Sequence, residues 1–529
     1  MKKGFLFLIV LAAAAIATGS VSGQKQMKKL INAEFAISQF YVDSVSSDKL
    51  VEDAIRGMLD KLDPHSSYTT PEETKDLEEP LQGNFSGIGI QFNMKEDTLY
   101  VIQTIVGGPS ERVGILAGDR IIEVNDSVIA GVKMKNSDIM KRLRGPKGTE
   151  VSVLVKRRNT PDPIKFRIIR DDIPLYSIDA AYMADATTGY IRISRFAEKT
   201  HKEFTDAVKK LQKQGMRQII IDLSDNGGGY LQIAADLANE FLEKGQTIVY
   251  TQGNNSPRYD AEARGGGSLR DNKVVIMVNQ YSASASEILS GAIQDWDRGV
   301  IVGRRTFGKG LVQRPFRFDD GSMIRLTIAR YYTPSGRCIQ KPYEAGDKKS
   351  YDKDIYNRYK DGELTSADSI HFADSLRYTT LKHHRIIYGG GGIMPDEFVP
   401  LDTLEYTDYY RDLLAKGVIN RYVITYIDNN RKLILKKYKT VNDFDKRFSV
   451  GDDMLADLCK MGESDSIKLD EEQFGKSKEL LRNVVKALLA RDAYTDPAAF
   501  YMVSNHRNPI FLRALEIIND DKLYNSKLE

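Results

Sequence analysis

Between residues 172 and 400 the chain alternates short apolar runs with stretches of helical spacing, and nothing else in the sequence constrains its fold so strongly. Strands are expected at 189–193, 218–223, 274–278, 300–302, 311–318 and 323–332, with helices between the earlier ones. Such a succession builds a layered α/β core. The clearest unit is Val274-Val275-Ile276-Met277-Val278, followed by Tyr281-Ser282-Ala283-Ser284-Ala285-Ser286-Glu287 and then a helix-like run over 288–296. A serine at a strand-to-helix turn presents its hydroxyl, and the helix N-terminus favours developing negative charge beside it.

Three segments carry the chemistry. Ser282, Ser284 and Ser286 alternate, so spacing alone does not choose among them; a helix beginning near Ala285 would put Ser284 at the turn, with the Ala285 N–H beside its hydroxyl. Downstream, Thr306-Phe307-Gly308-Lys309-Gly310 sets one lysine among glycines and an aromatic ring. To accept a proton its pKa must fall from about 10.4 towards 7, a cost of roughly 4 to 5 kcal/mol that burial can impose. The third segment, Asp222-Leu223-Ser224-Asp225-Asn226-Gly227-Gly228-Gly229-Tyr230, follows a strand, and its glycines allow backbone N–H groups to face an oxyanion. Together these are the parts for acyl transfer by a Ser-Lys hydrolase. The rival reading of 303–309 as a nucleotide-binding loop fails, because Gly310 replaces the required hydroxyl and Leu311-Val312-Gln313 continues as a strand.

Other properties narrow the setting. At 529 residues the chain needs three or four units, each with its own core. Its 76 basic and 73 acidic residues leave a net charge of +3, with no single-signed block to mark nucleic acid as a partner. The six histidines are scattered and no Cys/His cluster has metal-ligand spacing, so neither metal nor cofactor is expected. Cys338 and Cys459 are expected to be free, structural thiols. Lys2-Lys3, an apolar run over 5–17 and small residues through Gly23 form a signal-peptide pattern with cleavage before Gln24, which predicts a periplasmic or otherwise extracytoplasmic protein without an integral span; an uncleaved anchor is the alternative.

The expected organisation is a signal peptide (1–23), a helical segment (24–80) ending in the turn-rich Asp63-Pro64-His65-Ser66, a strand-rich unit (81–171), the α/β core (172–400) with a polar excursion at about 343–384, and a helical region (401–529). That last region carries no chemical motif. It could mediate homo-oligomerisation, dock an adaptor or pack on the core. In the strand-rich unit, Gly83-Asn84-Phe85-Ser86-Gly87-Ile88-Gly89-Ile90, Gly108-Pro109-Ser110 and Leu116-Ala117-Gly118-Asp119-Arg120-Ile121-Ile122 resemble a PDZ domain. The resemblance implies that Gly87, Ile88, Gly89 and Ile90 receive a peptide C-terminus, although Gly-Ile-Gly-Ile departs from the usual Gly-Leu-Gly-Phe.

The serine cluster, Thr-Phe-Gly-Lys-Gly with Val312-Gln313, Tyr332-Thr333-Pro334-Ser335-Gly336-Arg337, Gly391-Gly392-Ile393-Met394-Pro395-Asp396, Leu62-Asp63-Pro64-His65-Ser66 and Leu143-Arg144-Gly145-Pro146-Lys147-Gly148-Thr149 resemble the carboxyl-terminal processing, or tail-specific, protease family over about residues 28 to 400. The resemblance implies Ser284 as nucleophile, Lys309 as base, Gln313 to orient it, and an oxyanion hole from Ala285 and a glycine, Gly228, of the Asp-Asn-Gly-Gly loop. That loop departs from the family's common Asp-Leu-Arg-Asn-Asn-Pro, which leaves the donor glycine open among 227–229. The implied architecture is a multidomain α/β protein with a crotonase-like protease core, an inserted PDZ domain, an N-terminal helical segment and a C-terminal helical domain. The implied activity is cleavage of proteins near apolar C-termini without metal or nucleotide. A PDZ scaffold that binds tails without cutting them is the alternative.

Overall fold

The computed structural model describes residues 21–529 apart from 96, 106 and 159. The expected signal peptide lies outside the described residues except for its last three, which begin the helix Val21–Phe40. Among the described residues no helix is long and apolar enough to cross a membrane.

The chain forms two compact units. The first gathers the N-terminal residues through Thr74 with Gln313–Thr327 and Tyr343–Asp352. Here the helix Ser47–Leu59 is capped by Ser46, and the short strand Ser67–Thr69 pairs antiparallel with residues 323–325.

The second unit contains the expected α/β core. Its six-stranded sheet runs Ile178–Met183, Thr188–Ile193, Gln218–Asp222, Lys273–Val278, Val300–Gly303 and Glu397–Phe398; the first strand is antiparallel to its neighbour and the others are parallel. The central strands are continuously apolar over Ile219–Ile221 and Val274–Val278 because the sheet is covered on both faces. Ile219, Ile221, Val274 and Ile276 enter one core with the helices Thr200–Lys213, Leu231–Ala238 and Ala285–Asp295. Ile220, Val275 and Met277 enter the other, against Ile510, Phe511 and Ala514 of the helix Pro509–Asn519. The two-residue period of a strand performs this division. Two elements not expected from the sequence complete the region, the edge strand Ile178–Met183 and the hairpin Thr247–Gly253/Ser256–Glu262.

The strand-rich unit has the order Ile90–Lys95, Thr98–Thr104, Arg120–Val124, Glu150–Lys156, Ile164–Ile169, with the helix Asn136–Leu143. Leu99, Val101, Ile121, Val153 and Ile168 form its core. Entry and exit are drawn together where Asn84–Gly87 pairs with Asp171–Pro174, a geometry suited to an inserted domain. The tail is helical as expected, with Val418–Lys437, Asp452–Ser464 and Glu471–Tyr494 around one apolar cluster.

Most residues of the segment at 343–384 are exposed, as its polarity suggests, but a few turn inward. In the second unit its residues Arg358 and Leu364 are each 3% exposed, because its charges pair internally and with the core. Cys338 and Cys459 are both free thiols.

Candidate active site

The strand Lys273–Val278 ends at a turn that places Ser284 immediately before the helix Ala285–Asp295. Its backbone is held at φ 57°, ψ −112°, a conformation an L-residue adopts only when its surroundings impose it. The flanking serines are otherwise employed. Ser282 is fully buried and its hydroxyl donates to the Leu223 carbonyl at 2.8 Å, while the buried Ser286 donates to the Asn226 carbonyl at 2.8 Å. Ser284 is half-buried and stands on the strained turn. Spacing did not separate the three serines; tertiary hydrogen bonds do.

Strain at Ser284 persists because one carboxylate over-determines it. Glu287, in the first turn of the helix, is fully buried and accepts four hydrogen bonds. Its Oε2 takes the N–H of Ser284 at 2.8 Å and that of Lys309 at 2.9 Å. Its Oε1 takes the Thr306 hydroxyl at 2.6 Å and the Gly308 N–H at 2.7 Å. One side chain therefore joins the serine turn to the lysine loop through their backbones. Burial pushes the Glu287 carboxyl up to about 7 in spite of these donors. On the opposite side the Tyr331 hydroxyl donates to the Ser284 carbonyl at 3.1 Å and contacts the Lys309 carbonyl. The Phe307 N–H donates to the Ser282 carbonyl at 3.0 Å. Lys309 itself is half-buried between the buried Gly308 and Gly310.

Among the described residues the Ala285 N–H has no acceptor, as befits the first turn of a helix. Gly228 lies against it. A Cβ built there would stand 2.8 Å from Ser284 Cβ and 2.9 Å from Ala285 N, and its φ of +103° also favours glycine. The Gly228 N–H, however, donates to Asn226 Oδ1 at 2.8 Å, so the glycine implied as oxyanion donor has an internal partner. The guanidinium beside the loop comes from Arg192 on the neighbouring strand, which donates to Asp222 at 2.7 Å and to the Ser224 carbonyl at 2.9 Å.

Gln313 belongs to the first unit. There its Nε2 donates to Thr327 Oγ1 at 3.3 Å, and Thr327 Oγ1 in turn donates to Asp63 at 2.9 Å. Asp63 also accepts from the N–H groups of His65 and Ser66 at 2.9 and 3.0 Å. Burial would raise its pKa, but the hydrogen bonds from Ser66, His65 and Thr327 prevail and lower it. The turn-rich Asp63 segment thus has a defined polar role. In the loop over 87–90, the Ile88 carbonyl accepts from Ser110 and the Gly89 carbonyl from Ile105, while their N–H groups have no acceptor among the described residues. Gly89 has φ +73°, Gly87 ends a strand and Ile90 opens the domain's edge strand.

Glu287 and Tyr331 were not singled out by sequence reasoning. A signal for Glu287 was present, since Ser284-Ala285-Ser286-Glu287 has capping-box spacing. Tyr331 sits inside a strand and had none.

Comparison with known proteins gives four matches in chain order: an N-terminal domain of the activating protease CtpB over residues 12–74, a PDZ domain over 86–168, peptidase family S41 over 187–347, and a family of unknown function over 409–495. A carboxy-terminal-processing protease of Bartonella bacilliformis is 36% identical over 341 residues, covering 63% of this chain and 77% of that protein. The carboxy-terminal processing protease CtpA of Bacillus subtilis is 34% identical over 357 residues, covering 64% and 75%. A probable CtpA-like serine protease of Staphylococcus epidermidis is 36% identical over 315 residues, covering 59% of this chain and 63% of its own length.

Proposed function

The chain belongs to the carboxy-terminal-processing proteases of peptidase family S41, and on that premise we propose a serine endopeptidase that uses Ser284 and Lys309 to cut protein substrates near their C-termini. The observation that carries this reading is the strained Ser284 turn, whose N–H shares the Glu287 carboxylate with the Lys309 N–H. In the proposed reaction the neutral Lys309 amine takes the Ser284 hydroxyl proton as Oγ attacks the scissile carbonyl, then passes it to the leaving amine. A water molecule, deprotonated in the same way, releases the acyl group from Ser284. The Ala285 N–H receives the oxyanion, and Gly228 supplies a second donor once Asn226 yields its amide. The reaction draws on these protein groups without metal or nucleotide.

The PDZ domain supplies substrate selection. The N–H groups of Ile88 and Gly89 bind the tail carboxylate, with Gly87 and Ile90 flanking them, and the edge strand Ile90–Lys95 accepts the extended tail by backbone pairing. Proteins with apolar C-termini are the proposed substrates. The leader over 1–23 places the enzyme outside the cytoplasm, and we assign 24–80, 81–171, 172–400 and 401–529 as its helical, PDZ, protease and tail domains.

The test is turnover of a protein with an apolar C-terminus, together with labelling by a small fluorophosphonate. Wild type is expected to cut and to label, and Ser284→Ala and Lys309→Ala to lose about 10⁴-fold or more in kcat while remaining folded. Equal cleavage by Ser284→Ala sinks the assignment. Tail binding without turnover by any form would favour the scaffold reading.

A further inference from the structure

We propose that the inserted segment following the core strands is a brace for the loop that carries Lys309, with Arg358 as its positioning residue. This rests on the Ser284–Lys309 reading above and adds to it a part of the chain that lies outside the S41 match at 187–347.

The loop over 305–309 is held from two sides. Its N–H groups at 307, 308 and 309 and the Thr306 hydroxyl are taken by Ser282 and Glu287, on the side of the serine helix. Its carbonyls at 305 and 306 are taken from the opposite side by Arg358, in the helix Asp354–Lys360 of the insertion. Arg358 Nη1 donates to the Thr306 carbonyl at 3.0 Å and Nη2 to the Arg305 carbonyl at 2.7 Å. A planar guanidinium can span two successive carbonyls in this way, whereas an ammonium offers no fixed fork. The side chain is 3% exposed, and Glu363, whose Oε2 lies 3.4 Å from Arg358 Nε, also contacts Arg305. A buried charge is costly to keep, so its use on two loop carbonyls is a specific arrangement.

The same helix grips the loop a second time. Asp354, at its first position, pairs at 3.0 Å with Lys341, which is 4% exposed. The Lys341 ammonium lies 4.1 Å from the centre of the Phe307 ring, and the Lys341 N–H donates to the Gly308 carbonyl at 2.9 Å. Residues 305, 306, 307 and 308 are therefore each restrained by Arg358 or by the Lys341–Asp354 pair. Lys309 follows at once, so the rotamer and depth of the general base depend on a clamp that the insertion supplies.

The experiment compares full-length wild type, Arg358→Met, Arg358→Lys and Asp354→Asn by peptide turnover, fluorophosphonate labelling rate and circular dichroism. Arg358→Met is expected to lose about 10- to 100-fold in kcat, with KM within about twofold and labelling slowed in parallel, since a shift of about 1 Å in a reacting group can cost that much. Arg358→Lys should recover part of the loss, and Asp354→Asn should lose several-fold in kcat. A folded Arg358→Met with wild-type kcat, or with its loss in KM alone, overturns the brace. Should Arg358→Met fail to fold, wild-type kcat in both Arg358→Lys and Asp354→Asn overturns it. A wild type that neither cuts nor labels overturns the Ser284–Lys309 reading, and the brace with it.

Discussion

At the scale of single residues Glu287 is the most consequential side chain that sequence reasoning passed over. Only the ionised carboxylate accepts from Ser284 N, Lys309 N, Gly308 N and the Thr306 hydroxyl together; once protonated, one oxygen carries a proton that competes with those donors. Because burial raises this carboxyl to about 7, the native state binds more protons than the unfolded chain between pH about 4.5 and 7. Stability attributable to Glu287 therefore falls as pH rises through that window, by about 3 kcal/mol in all, and is flat above it. Urea unfolding at a series of pH values is expected to show this slope in wild type and not in Glu287→Gln. Activity has the opposite requirement, so kcat of wild type should decline below pH about 7 as the junction protonates. A Glu287→Gln slope equal to that of wild type would refute the assignment.

At the scale of elements the serine helix and the glycine loop meet too closely for any side chain at position 228. Gly228→Ala would set a Cβ 2.9 Å from both the Ala283 carbonyl and Ala285 N, at a φ of +103°. A loss of about 1 to 3 kcal/mol in stability is expected from backbone strain, with kcat reduced at least 100-fold because the methyl occupies the space in front of the Ala285 N–H. Thermal unfolding separates the two effects. The strand, the turn and the helix of this element were legible in sequence, since a five-residue apolar run, a serine turn and a helical period are local patterns. The Arg192–Asp222 pair was not, because the guanidinium arrives from a neighbouring strand 30 residues earlier in the chain. The hairpin Thr247–Gly253/Ser256–Glu262 also escaped, lacking the strong alternation that marks a half-buried strand.

At the scale of the whole molecule the tail proves integral to the protease core of the second unit. Helix Pro509–Asn519 covers the second face of the parallel sheet with Ile510, Phe511, Ala514, Ile517 and Ile518, all buried. Asp428 in the tail accepts from Tyr100 at 3.1 Å and from Arg120 at 2.8 Å, both in the PDZ domain, and Ile424 packs with Tyr100 and Ile102. Removal of residues 402–529 would uncover Ile220, Val275 and Met277, each worth roughly 1.5 to 3 kcal/mol of burial. The truncated chain is expected to be insoluble or to bind a hydrophobic dye such as ANS. A soluble, active truncation would show that the sheet does not need this cover.

By itself the sequence determined the α/β class, the PDZ unit, the order of the parts and the three segments bearing serine, lysine and glycines, because each depends on residues close together in the chain. Only the tertiary structure decided which of three alternating serines is strained and accessible, which carboxylate joins its turn to the lysine loop, that a polar and mostly exposed insertion sends Arg358 onto that loop, and that a motif-free tail covers the sheet. The reason is physical: hydrogen bonds from Ser282 and Ser286 to residues 59 and 60 positions away, and the fork of Arg358 on carbonyls 52 and 53 positions away, leave no local periodicity to read.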